Sequence, residues 1–299
     1  MPNRKNLFVI IFLIFICLLN LPRVSKVLSI SSPDIYLSSP TIPQGDLVLI
    51  RLKGAQGLPP RVTWLNKEIY LISKQDKTDW YGFLPADLKA KPGKYFLAIE
   101  IRPSSQKKKI EITITEKQYG VRRLTLPKKM VDLDAETLKR VRQESGEMKK
   151  LWAPPFIEPI WEGPFVRPVQ GEVVGPFGRS SIINEQPRSP HSGVDLRAER
   201  GTPVKAMNSG KVVLTGDHFF TGLTVVIDHG GGIQSMYFHL DKILVQEDQK
   251  VGKGEVIGLV GSTGRATGPH LHLGVRVNGA RVDPLELMTI SEQIGEWGL

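Results

Sequence analysis

Cysteine is nearly missing from this chain: Cys17 stands alone among 299 residues. No intrachain disulfide can form, so a disulfide-stapled scaffold is excluded. A thiolate metal centre is excluded too, and any bound metal has to be held by histidine and carboxylate. Long apolar runs are also lacking. The run from Leu7 to Leu19 is shorter than the roughly 20 apolar residues of a membrane-crossing helix. No His-Glu-x-x-His string occurs, which removes the helix-borne form of a two-histidine metal site. Nucleic-acid-binding signatures are absent, so nucleic acid is not expected as a partner. Histidine itself is rare, with six in all.

What is present in excess is positive charge. A formal net charge of +10 favours anionic partners such as membrane surfaces or cell-wall polymers. Two of these cations, Arg4 and Lys5, precede the apolar run, and Arg23 and Lys26 follow it. A basic start and a short apolar core fit the export-signal pattern. Residues 1–29 therefore read as a signal peptide or membrane anchor. The rest of the chain is expected outside the cytoplasm, in the periplasm or cell envelope, with an inner-membrane tether if the leader is retained. Ile16 before Cys17 is too large for a lipoprotein signal.

Beyond the leader the texture is mainly β. Leu47–Leu52 reads as a buried strand, Lys94–Ile101 as another, and Lys109–Thr115 alternates apolar and polar residues as a half-buried strand does. Such spacing predicts an immunoglobulin-like β-sandwich over residues 30–115. Asp134 then offers a helix N-cap, with Glu136 in the first turn and Leu133, Leu138, Val141 and Met148 as a partial apolar face. Pro154, Pro155 and Pro159 follow, so residues 116–165 read as a helical and proline-rich linker. From 166 to 299 glycine-punctuated strands are expected to build an antiparallel sheet: 210–216, 223–227, 256–260 and 271–277, the last closed by an Asn278-Gly279 hairpin turn. No long helical period is visible there.

Four of the six histidines fall in three short strings of this last region: His191-Ser192-Gly193-Val194-Asp195, Tyr237-Phe238-His239-Leu240 and Gly268-Pro269-His270-Leu271-His272. Residues two apart on a strand face one side, so His270 and His272 project together. Two imidazoles and a carboxylate suit a catalytic zinc, which takes three protein ligands and leaves one position open. The imidazoles left over suit proton transfer near neutral pH. Each string alone is weak, and their joint occurrence in one β region carries the signal. His229, before Gly230-Gly231-Gly232, reads as a turn residue, and His218 as a loop or surface residue.

Residues from about Val166 to Leu287 resemble the lysostaphin/LytM-type zinc endopeptidases. The resemblance is carried in order by Pro176-Phe177-Gly178-Arg179, His191-Ser192-Gly193-Val194-Asp195-Leu196, Gly201-Thr202-Pro203-Val204, Asp228-His229-Gly230, Tyr237-Phe238-His239-Leu240, Gly261-Ser262-Thr263-Gly264, Thr267-Gly268-Pro269-His270-Leu271-His272 and Val282-Asp283-Pro284-Leu285. It implies Zn2+ held by His191, Asp195 and His272, with His239 and His270 as the catalytic pair. It also implies peptidoglycan as partner and hydrolysis of its peptide stems or cross-links as activity. An alternative from the same resemblance is a non-catalytic regulator that binds and activates another wall hydrolase. All five site positions are filled here, which favours the enzyme.

Overall fold

The computed structural model describes residues 33–55, 58–73, 77–102, 105–125, 133–152 and 157–296; the leader expected at residues 1–29 lies outside them. The described residues are mainly β, with two helices among them. None of their helices is long and apolar enough to cross a membrane.

The first nine strands make two sheets. One runs β1 (Asp34–Leu37), β3 (Leu47–Lys53), β7 (Asp79–Pro85) and β6 (Ile72–Ser73). The other runs β2 (Thr41–Pro43), β9 (Gln106–Thr115), β8 (Gly93–Ile101), β4 (Arg61–Trp64) and β5 (Lys67–Ile69). β1 and β2 are consecutive yet join different sheets, and β2 pairs with β9 in parallel. Alternation along β3 explains its near-continuous apolar sequence. Val48, Ile50 and Leu52 fill the core between the two sheets together with Trp80 and Leu84 of β7. Leu47 and Leu49, with Tyr81 and Phe83, point the other way, into the core of the C-terminal sheet. A strand buried on both faces has no polar side to show.

That shared core joins the sandwich to the rest of the chain. Phe83 meets Trp161 at 6.0 Å between ring centroids, and Trp161 meets Phe165 at 5.5 Å. Asp87 accepts from both the backbone N–H and the guanidinium of Arg281.

Between the two parts, Val121–Leu124 forms a strand, β10, that the sequence did not mark. Helix α1 (Ala135–Lys150) follows, and Asp134 caps it by accepting from Thr137 N at 2.7 Å. No residue of α1 is fully buried. Leu138 of the expected apolar face is exposed, while Met148 of that face, with Leu151 and Trp152 just after the helix, packs on Val226, Met236 and Phe238.

The main sheet contains β11 (Val173–Gly175), β14 (Gly193–Arg197), β15 (Pro203–Lys205), β16 (Gly210–His218), β17 (Gly222–Gly230), β18 (Ile233–Ile243), β19 (Lys250–Val251), β20 (Val256–Val260), β21 (His270–Val277) and β22 (Ala280–Val282). Its path is β11-β14-β21-β18-β17-β16-β19, all antiparallel. A small separate sheet holds β10, β12 (Ser180–Ile183) and β13 (Gln186–Pro187), with β10 and β12 parallel. A second helix, α2 (Pro284–Glu296), ends the region, where no long helical period was visible in the sequence. Asp283 starts it by accepting from Leu285 N at 3.0 Å, with Pro284 at the first helical position, where its missing N–H costs nothing.

Candidate active site

Adjacent strands bring the histidine strings together. β14 pairs with β21 so that Asp195 lies opposite His272, and β18 pairs with β21 so that Phe238 lies opposite His272. His191 precedes β14 and is pinned by two backbone bonds, His191 N to Arg179 O at 3.0 Å and Gly178 N to His191 O at 2.8 Å. The three donors converge: His191 Nε2 is 3.0 Å from Asp195 Oδ1, His272 Nδ1 is 2.9 Å from the same oxygen, and the two nitrogens are 2.9 Å apart.

The hydrogen bonds at the back of His191 decide what its front can do. Nδ1 lies 3.0 Å from the carbonyl oxygen of Pro176, which can only accept, so Nδ1 carries the proton. Nε2 therefore turns a bare lone pair toward a carboxylate oxygen and a second imidazole nitrogen. Lone pairs so arranged repel unless a cation sits among them. Tetrahedral zinc with bonds of about 2.0–2.2 Å spaces its ligand atoms roughly 3.3–3.5 Å apart, a few tenths of an ångström outward from the positions seen. The donor set fits a metal ion. Burial alone would raise the pKa of Asp195, but the adjoining His191 and His272 hold the carboxyl well below the usual range. Burial lowers the pKa of His272, which keeps the imidazole neutral and able to bind metal, against the opposing pull of Asp195.

His239 and His270 stand beside this trio, their rings 4.9 Å apart. In a regular strand Phe238 and His239 face opposite sides. Here His239 takes a φ of +63°, next to shifts in the strand register, and both side chains reach the site. Phe238 stacks on His272 with centroids 5.2 Å apart and planes 6° from parallel, while the His239 ring is 6.1 Å from that of His272. A left-handed backbone at a residue other than glycine costs about 1–2 kcal/mol, strain of a kind found at functional sites. His239 Nδ1 faces Thr263 O at 2.8 Å, and His270 Nδ1 faces Gly268 O at 2.8 Å. Both Nδ1 atoms thus carry protons and both Nε2 atoms present lone pairs. His270 Nε2 is 3.7 Å from Asp195 Oδ1. Burial pushes the pKa of His239 down to about 4, so it is neutral at pH 7.

All five residues expected from the sequence therefore meet. The other two histidines are corrected. His229 is not a turn residue but a fully buried member of β17, bonded through Nδ1 to Ser209 O and through Nε2 to Ser235 Oγ. The turn is made by the three glycines after it. His218 is buried at the end of β16 and lines a gap between that strand and α1, across from Glu144 and Glu147.

Three contributors escaped the sequence. Phe238 supplies the ring under His272, its direct partner across β18 and β21, and the irregularity at His239 brings that histidine to the same face. The carbonyls of Pro176, Thr263 and Gly268 set the histidine tautomers, and backbone atoms leave no residue-type signal. Arg122 on β10 reaches a shallow recess lined by Pro176, Arg179, His191 and Asp195.

Fold and donor set define a class: a mainly β protein that carries a metal-competent His/Asp/His face and two further imidazoles. Residues 189–284 match the profile of Peptidase family M23. The chain is similar to a solved structure described as a putative peptidase M23 from Pseudomonas aeruginosa, with 33% identity and a TM-score of 0.67, over 85% of this chain and 97% of that one. The chain belongs to peptidase family M23. It is 47% identical over 98 residues to peptidoglycan DD-endopeptidase ShyA of Vibrio cholerae, which is 33% of this chain and 23% of that protein. It is 44% identical over 97 residues to DD-carboxypeptidase/endopeptidase Mpg of Neisseria meningitidis, 32% of this chain and 22% of that protein. The alignments thus span less than a quarter of these relatives' own length.

Proposed function

We propose that this protein is a zinc-dependent endopeptidase that hydrolyses peptide bonds in the stems or cross-links of bacterial peptidoglycan. The observation that carries it is the convergence of His191 Nε2, Asp195 Oδ1 and His272 Nδ1, all within 3.0 Å of one another, beside two imidazoles with outward lone pairs. Held by these atoms, zinc would acidify a water and polarise the scissile carbonyl.

The rest of the chemistry falls to the chain. His239 and His270 divide two tasks. One Nε2 accepts the proton of the attacking water, and the other ring, when it carries a proton on Nε2 as well as on Nδ1, donates to the carbonyl oxygen as charge develops. The proton taken up is then returned to the leaving amine. Thr263 O and Gly268 O accept from Nδ1 of the two rings, so that Nε2 is the atom each presents to the site. Asp195 stays ionised, and Phe238 fixes the plane of His272.

Peptidoglycan as substrate rests on the similarity to enzymes whose names carry it and on the basic charge of the chain. In the same reading residues 166–299 form the catalytic unit, 30–115 an immunoglobulin-like β domain and 116–165 the connection between them. Residues 1–29 export the protein to the periplasm or envelope as a signal peptide or inner-membrane anchor. Digestion of purified peptidoglycan, with mass identification of the released muropeptides, tests the substrate. New peptide-cleaved fragments are expected from zinc-loaded protein, and intact peptidoglycan would exclude the reading in favour of the non-catalytic regulator.

A further inference from the structure

The upstream connection does more than join two parts of the chain, because β10 delivers an arginine to the edge of the metal-competent site. β10 lies parallel to β12 with Arg122 opposite Ser181. Its ends are tied by Ser180 N to Gly120 O at 3.1 Å and Asn184 N to Leu124 O at 3.0 Å. Tyr119, just before β10, packs on the chain at Gly178, where a Cβ would come 2.5 Å from its ring carbon Cδ2. The Tyr119 hydroxyl donates to Gln44 O in the sandwich, and its ring meets Phe177 at 5.7 Å. The strand is therefore fixed relative to the Pro176–Arg179 segment that also orients His191.

Arg122 Nε donates to Ser181 Oγ at 3.0 Å, which aims the guanidinium while leaving its two terminal nitrogens available. Arg179 lines the same recess, together with His191 and Asp195. Among the described residues neither guanidinium forms an ion pair, whereas the neighbouring Arg123 faces Glu185. The one acid in the recess, Asp195, is engaged by two histidines. Two unneutralised guanidiniums at one end of a site have no structural task that the packing explains. A planar fork of donors matches a carboxylate in two-pronged fashion.

We infer that Arg122 and Arg179 form a subsite for a carboxylate of the peptide substrate, next to the bond to be cleaved, and that the upstream strand thereby sets substrate choice. This rests on the endopeptidase reading above. Stem peptides that keep their free carboxylate would be preferred over those in which it is amidated.

The test uses the full chain loaded with zinc and two synthetic cross-linked stem peptides, one with free carboxylates flanking the scissile bond and one with those groups amidated. Wild type is expected to favour the first. Arg122 is exposed, so Arg122→Ala should fold and keep its zinc. It should lower kcat/KM on the carboxylate peptide roughly 10- to 100-fold, mainly through KM, the scale of a lost charge-assisted contact. The amidated peptide should be cut at nearly the wild-type rate. Arg122→Lys should recover part of the loss, and Arg123→Ala should match wild type. Equal loss on both peptides, or no loss on either, would overturn the subsite while leaving the endopeptidase reading intact. Failure of zinc-loaded wild type to cut either peptide would overturn both.

Discussion

Gly175 lies directly against Asp195: a Cβ placed on it would come 2.7 Å from the carboxylate carbon. The strand β11 passes so close that only hydrogen fits between its backbone and the acid that His191 and His272 share. Gly175→Ala therefore has to move Asp195 or the strand. Overpacking of this kind costs about 1–3 kcal/mol, and displacement of a donor is expected to weaken zinc binding roughly 10- to 100-fold. Calorimetric unfolding and zinc titration of the variant check both effects.

The proposed mechanism gives the two histidines of the His-x-His string separable tasks. His272→Ala should lose both zinc and turnover. His239→Ala and His270→Ala should keep near-stoichiometric zinc while turnover falls by roughly 100-fold or more. Metal content and hydrolysis measured on the same preparations decide the matter; loss of zinc from His270→Ala would reverse the assignment.

Phe238 holds the plane of His272 and closes the core under the site. Phe238→Ala is expected to destabilise the fold by about 3 kcal/mol, the lower end for deleting a buried aromatic ring. Phe238→Leu keeps much of the volume and should cost less than half of that. Denaturant unfolding curves of the two variants give the comparison.

The buried His229 makes a pH prediction. Burial lowers its pKa to about 4 in the folded chain, from an ordinary value of 6.5. A depressed histidine adds stability above the unfolded value, and that stability is lost as pH falls from 6.5 toward 4. The difference is worth on the order of 3 kcal/mol. Asp283 acts in the opposite direction, since burial raises its pKa to about 6 and acid relieves its cost. Comparing wild type with His229→Asn isolates the histidine: the variant should lose much less stability than wild type between pH 7 and pH 4.5.

How legible these features were depends on where their cause lies. The strand 109–115 alternates because one face is buried and the other is not, and it appears within β9 as its sequence suggests. The strings that hold His191, Asp195 and His272 stood out because metal chemistry restricts the residue types that can serve, but the choice among the four imidazoles came only from the resemblance. β10 was not legible, since Val121-Arg122-Arg123-Leu124 has no alternation and becomes a strand only by pairing with β12. The start of α2 did carry a signal, Asp283 before Pro284, but a strand-rich context hid it. His229 misled because the glycines after it mark a turn, and a turn signal does not say which residue is the last of the strand. Phe238 escaped because its place beside His272 depends on how β18 and β21 pair, which no period within one strand reveals, and His239 breaks the two-residue period at the site itself.

Metal dependence tests the central claim most directly. Protein stripped of metal by a strong chelator, freed of the chelator and supplied with purified peptidoglycan should release no peptide-cleaved muropeptides. Addition of one equivalent of zinc should restore hydrolysis, and the same treatment of His272→Ala should restore none. Unimpaired cleavage by rigorously metal-free wild type would contradict the assignment of His191, Asp195 and His272 as a catalytic metal site.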